Sequence, residues 1–209
     1  MKTGAKGDTY YGKTARNYEK RRTKQEWWGV EQREMASLLD LLPDGLRVLD
    51  VPFGTGRFVP YYLKKSFTVQ GLDASHEMLA TAKDILGDDF AKCTTSTGTA
   101  MSLEFDDGAF DLVVSTRFIR DIIVASDAKK ALAEFARVTR KYAIIQLGEN
   151  TRDQSDPVDP NVVFGSRLSA ADNAEMLASV GLKVVEKRLV KSDEKENSHI
   201  YHVLCEKAA

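Results

Sequence analysis

Apolar positions along the chain fall into two alternating rhythms. Glu31–Leu42 places Met35, Leu38, Leu39 and Leu42 at the spacing of an amphipathic helix, and Pro43 stops it. Arg47–Val51 is a short apolar run that meets Pro52 and then glycines, and it predicts a first strand. Phe67–Leu72 (FTVQGL), a weaker Phe90–Thr95, Phe110–Ser115 (FDLVVS) and Tyr142–Leu147 (YAIIQL) predict four more. Between them Ser75 supplies an N-cap for a helix to about Leu86, and Asp127 one for a helix to about Thr139. Strands separated by helices need right-handed crossovers, hence a parallel sheet covered on both faces. After a loop holding Pro157 and Pro160, Ser169 caps a helix to about Val180, which Gly181 ends. Leu182–Val190 and His199–Cys205 are joined by KSDEKENS, too short for a crossover helix, so this pair is antiparallel. The pattern predicts an α/β, doubly wound, mostly parallel seven-stranded sheet closed by an antiparallel C-terminal hairpin, with helices on both faces.

Composition narrows the class. The 209 residues suit one domain with an appendage: an N-terminal segment, 1–30, and a main domain, 31–209. Hydrophobic residues at 43% and charged residues at 29% exclude wholesale disorder. Lys+Arg at 30 against Asp+Glu at 31 leaves a net charge of −1, which argues against a nucleic-acid partner. No apolar run approaches the roughly 20 residues that span a bilayer, and MKTGAKGDTYYGK lacks a signal-type apolar stretch. The expectation is a cytoplasmic protein without a membrane partner; a homodimer is compatible with the sequence. Cys93 and Cys205 cannot build a disulfide framework, and read as small apolar residues. His199 and His202 fall on opposite faces of the last strand, and His76 lies in a first helical turn, so no metal site is expected.

The strongest chemical signal is Val48–Phe58, VLDVPFGTGRF. Gly54, Thr55 and Gly56 sit where a buried strand turns into a helix, and glycine there lets the backbone approach a ligand closely. Asp73 closes the next strand 17 residues after Gly56. An acid in that place accepts hydrogen bonds from ribose hydroxyls. A dinucleotide turn wants a third glycine where Val59 stands, and a phosphate loop of the G-x-x-x-x-G-K type is absent. Instead Asp50 precedes the glycines. A carboxylate beside a pyrophosphate is unfavourable, whereas it suits a ligand bearing an amine and a sulfonium. A nucleotide-binding oxidoreductase and a non-catalytic scaffold of the same fold stand as rival readings.

These residues resemble the class I S-adenosylmethionine-dependent methyltransferases, over about residues 44–147 and in the terminal hairpin. The resemblance implies a Rossmann-like fold, S-adenosyl-L-methionine as cofactor and methyl transfer as the activity. Asp50, Pro52, Gly54 and Gly56 align with the family's first motif, with Pro52 in place of its first glycine. GLDAS is similar to the second motif, which puts Asp73 on the ribose and Ala74 and Ser75 near the adenine. GTAMSLEF resembles the stretch whose acid bonds the adenine amine. Thr99 stands there instead, so Thr99 or the backbone at Ala100 and Met101 must substitute, with Met101 against the ring. FDLVVSTRFI resembles the fourth strand, whose end, Ser115 and Thr116, lies beside the methyl group.

The acceptor belongs beyond the carboxyl ends of the strands. There STRFIRDI carries Arg117, Arg120 and Asp121, which share a face if the segment is helical. Either arginine suits a carboxylate or phosphate on the acceptor. Asp121 is the candidate catalytic base, or else pairs structurally with Arg117. Tyr10, Tyr11 and Tyr18, among basic residues, read as a lid over a small-molecule acceptor. The competing reading of that segment is an RNA-stacking patch, hence an RNA-directed methyltransferase. Trp27 and Trp28 read as core and substrate-wall residues. Together with the resemblance, these residues imply transfer of a methyl group to O or N of a small, anionic metabolite.

Overall fold

The structure, a computed structural model, describes residues 20, 22–121, 125–150, 168–195 and 197–208. Its strands are β1 (Arg47–Asp50), β2 (Thr68–Asp73), β3 (Cys93–Thr97), β4 (Phe110–Ser115), β5 (Thr139–Asn150), β6 (Leu182–Asp193) and β7 (Ser198–Lys207). They form one seven-stranded sheet in the order β3-β2-β1-β4-β5-β7-β6. The pairings from β3 across to β5 are parallel, and β7 runs antiparallel to both β5 and β6. The expected architecture, terminal hairpin included, is what the chain adopts.

The helices are α1 (Trp28–Leu39), α2 (Val59–Lys64), α3 (His76–Leu86), α4 (Ala125–Val138) and α5 (Ala170–Ala178). Burial shows why the sheet needs both faces covered. Every residue of β4 is buried. Leu112 and Val114 join Met35 and Leu38 of α1 and Tyr62 of α2 on one side. Phe110 and Val113 join Leu132 and Phe135 of α4 and Met176 of α5 on the other. Each such side chain contributes roughly 1.5–3 kcal/mol by leaving water.

Ser75 and Ser169 cap α3 and α5 as their sequence positions predict. The Ser75 hydroxyl accepts from the Met78 N–H, and Ser169 forms a reciprocal capping box with Asp172. Three details differ from the sequence reading. Asp127 lies inside the first turn of α4 and is not its cap, although an acid there still suits the positive helix end. Phe90 belongs to a 3₁₀ turn, Gly87–Lys92, and its ring meets Phe53 edge-on, so β3 starts later, at Cys93. β5 extends to Asn150 because β7 pairs alongside it as far as Ser198.

The strand order fixes where a ligand belongs. The chain leaves β1 toward β2 and β3, then crosses back to β4 and β5 on the opposite side. The carboxyl ends of β1 and β4 therefore diverge, leaving a crevice at the reversal.

Candidate active site

At the end of β1 the chain turns through a cis Val51–Pro52 bond into Phe53–Arg57. Gly54 and Gly56 adopt φ of 58° and 67°, a region that side chains with a Cβ rarely enter. The two glycines serve different ends. A Cβ on Gly56 would stand 2.5 Å from the Leu86 side chain and 2.9 Å from the Phe53 ring, so Gly56 lets α3 and the turn pack together. A Cβ on Gly54 would meet only the Met78 methyl, at 3.8 Å, so the surroundings of Gly54 are open. Its N–H donates to Asp73 Oδ2 at 2.7 Å.

Asp73 closes β2 with 6% of its surface exposed. The Ser75 N–H donates to its Oδ1 at 2.9 Å. Burial pushes the Asp73 carboxyl up, opposed by backbone N–H groups of Ser75, Gly54 and Ala74. A carboxylate offers about four lone-pair directions, so the direct bonds from Gly54 and Ser75, with the Ala74 N–H close by, still leave capacity for a hydroxyl donor. A nucleoside ribose matches that demand. Asp50, one strand over, is 2% exposed and accepts from the Tyr62 hydroxyl at 3.2 Å. Burial pushes Asp50 up to about 8, with Tyr62 and Arg57 opposing and Asp73 adding to the rise. A cation placed there favours the ionised form.

The other residues expected to hold the cofactor follow the ends of β1, β2 and β4 or lie in the turn after β3. Gly98 N–H donates to the Asp73 carbonyl at 3.0 Å, bringing the Thr99–Met101 turn beside β2. Thr99 is exposed and its hydroxyl accepts from the Met101 N–H at 3.3 Å; Ala100 is buried and Met101 half-buried. Thr55 is buried, Pro52 half-buried and Ala74 exposed. Ser115 and Thr116 end β4, next to the Val51 N–H that donates to the Val114 carbonyl. Ser115 is fully buried, and its hydroxyl has no hydrogen-bond partner among the described residues.

The segment expected to meet an acceptor is built differently from its expected form. The STRFIRDI segment is not one helix: Arg117 takes φ of 56°, and only Ile119–Asp121 form a 3₁₀ turn. Arg117 consequently does not pair with Asp121. Its Nε and Nη2 donate to Glu31 at 3.1 and 2.5 Å, its Nη1 to Gln25 at 3.3 Å, and its backbone N–H to Gln146 at 3.1 Å. Asp121 instead lies 3.8 Å from Arg120, whose Nε is buried without a partner among the described residues. Tyr10, Tyr11 and Tyr18 lie outside the described residues.

The residue missed by the sequence reading is Glu31. It is completely buried and accepts from Arg57, Arg117 and Gln146. Burial alone would raise its carboxyl, but the Arg57 and Arg117 guanidiniums hold it well below the usual carboxylate range. His202 Nε2 lies 3.2 Å from the Glu31 carbonyl oxygen, and burial pushes its ring down to about 4. Arg57 stacks on Trp28 and Phe58 at 4.6 and 4.3 Å, and Arg117 on Trp27 at 4.3 Å. The signal was present in the pattern: Glu31 stands four and seven residues before Met35 and Leu38, on the apolar stripe of its helix.

Comparison with known proteins agrees with this fold. A family profile described as "Methyltransferase domain" matches residues 48–142. The phosphatidylethanolamine N-methyltransferase of Cereibacter sphaeroides is 35% identical over 99 residues, 46% of this chain and 47% of that one. The demethylmenaquinone methyltransferase of Renibacterium salmoninarum is 39% identical over 106 residues, 50% of this chain and 41% of that one. The chain thus matches less than half the length of either relative. A crystal structure of magnesium protoporphyrin IX methyltransferase from Synechocystis, with bound SAH, superposes with a TM-score of 0.70 at 16% identity. That superposition covers 95% of this chain and 97% of the other, and establishes a shared fold.

Proposed function

We propose, for a chain whose residues 48–142 belong to the class I S-adenosylmethionine-dependent methyltransferase family, that it methylates O or N of a small acceptor carrying an anionic group. The observation that carries the cofactor reading is the Asp73 carboxylate, buried at the end of β2 and braced by the N–H groups of Gly54 and Ser75. The residues present fit the group. Asp73 would accept from the ribose, Asp50 would face the ammonium end, and the turn at Thr99, Ala100 and Met101 would edge the adenine. The Thr99 hydroxyl is engaged with the Met101 backbone, which favours backbone groups for the adenine amine. Bound there, S-adenosylmethionine supplies an electrophilic methyl group.

The chain's own task is then mainly positioning, because an in-line displacement gains most from holding two reactants aligned. Thr116 and Arg120 follow β4, on the side where this reading puts the acceptor. Arg117 is committed to Glu31, so Arg120 is the better candidate to meet an acceptor carboxylate or phosphate. Asp121 is the candidate base for a hydroxyl or ammonium acceptor; a carboxylate acceptor needs none. Among the described residues no helix is long and apolar enough to cross a membrane. Cys93 and Cys205 are free thiols, which supports a cytoplasmic setting. The test is transfer of labelled methyl from S-adenosylmethionine into a panel of cell metabolites, read by mass spectrometry. A labelled acid or phosphate ester, lost with Arg120→Ala, supports the reading, and a labelled neutral compound removes the anionic acceptor.

A further inference from the structure

Two arginines follow the strand ends that border the crevice. Arg57 follows the glycine turn after β1, and Arg117 follows Thr116 after β4. Left alone they would repel each other. Between them stands Glu31, delivered by the first turn of α1. Its Oε2 accepts from both guanidiniums, and its Oε1 accepts from Arg117 Nε and from Gln146 Nε2 at 2.6 Å. These four donors use the carboxylate's full capacity. The trio carries two positive charges and one negative, all nearly removed from water: side-chain exposures are 10% for Arg57, 6% for Arg117 and 0% for Glu31. Stability alone gives a weak reason for such a cluster, because apolar groups of similar volume commonly serve a core as well or better. Arg117 also holds a left-handed backbone, fixed by the Gln146 side chain on its N–H. Strain of this kind persists where the surroundings over-determine it, as at functional sites.

Resting on the methyl-transfer reading above, we propose that Glu31 is a positioning residue for the acceptor: it clamps Arg57 and Arg117 at the strand ends that border the crevice and fixes Trp27 and Trp28 as its wall. The segment after β4, Thr116 to Arg120, through which the acceptor's anionic group would be met, is then held in a set place. Glu31 itself touches neither reactant. Its effect falls on acceptor capture through Arg117 on the β4 side, because Asp73 is braced separately, by the N–H groups of Gly54 and Ser75.

The experiment compares wild type with Glu31→Gln at saturating labelled S-adenosylmethionine, using graded dilutions of a cell-metabolite extract as the acceptor source. For Glu31→Gln the half-saturating amount of extract should rise about tenfold, with the plateau rate and the affinity for S-adenosylhomocysteine held within about threefold. Tryptophan fluorescence should shift as well, because both tryptophans of the chain stack on the clamped arginines. A lower melting temperature with an unmoved half-saturation point would make Glu31 merely structural and overturn the proposal. Should Glu31→Gln not fold, Arg117→Lys, which keeps the charge and loses the two-pronged contact, should move half-saturation the same way; no movement overturns the proposal equally. Absence of cofactor binding or labelled product with wild type would instead bring down the methyl-transfer reading and this proposal with it.

Discussion

Each oxygen of the Asp73 carboxylate already accepts one backbone N–H, so what remains of its accepting capacity is directed by the turn that braces it. Replacing Asp73 with Ala should weaken S-adenosylmethionine binding by about 1.5–3 kcal/mol, the range for losing a charged hydrogen-bond partner. Calorimetry checks this, and unchanged affinity would refute the ribose assignment. Asp50 sets a pH dependence. Its native carboxyl titrates near 8, against 3.8 ordinarily. Between about pH 4 and 8 the native state holds a proton that the unfolded chain has lost, so this group's contribution to stability falls as pH rises. Asp50→Asn should remove that decline, seen as a denaturation midpoint that, relative to wild type, is higher at pH 8 than at pH 5. Both acids were visible in the sequence because strand ends next to glycines are distinctive. Glu31 was visible only as an acid on an apolar stripe, and its partners were not, because Arg57, Arg117 and Gln146 are 26, 86 and 115 residues away.

At the level of elements, the glycine turn is the most constrained joint. Gly56→Ala would add a Cβ 2.5 Å from Leu86 and 2.9 Å from Phe53 at φ of 67°. It should cost about 1–3 kcal/mol of stability from overpacking, with a further part from the backbone, measurable by urea unfolding. A loss under about 0.5 kcal/mol would show that α3 shifts freely away from the turn. The strands and the caps at Ser75 and Ser169 were legible from short-range pattern alone. The start of α4 was not, since an acid such as Asp127 suits a helix cap and a first turn alike. The conformation of STRFIRDI also escaped, because a left-handed Arg117 is held by contacts from α1 and β5, not by its neighbours in sequence.

Across the whole molecule, the two cores share one sheet, so damage on one face should be felt on the other. Phe135 is fully buried beneath α4 and packs beside Phe118. Phe135→Ala should cost about 3–5 kcal/mol. The tryptophans stand on α1 and its entry, against the opposite face, and should report the same transition as far-ultraviolet circular dichroism. Two separate transitions would mean that the faces unfold independently.

The rhythm of apolar runs, the glycines and the two acids determined by themselves the fold class, the antiparallel close of the sheet and the place of the nucleoside-type crevice. Those features rest on nearest-neighbour physics: periodicity, backbone freedom and charge at a strand end. Tertiary structure alone decided how the charged side chains after β1 and β4 are paired. A carboxylate on an apolar helix stripe is costly until a fold brings cations to it, and only the packing of α1 over the ends of β1, β4 and β5 could say that Arg57 and Arg117 are bound to Glu31 while Arg120 lies beside Asp121.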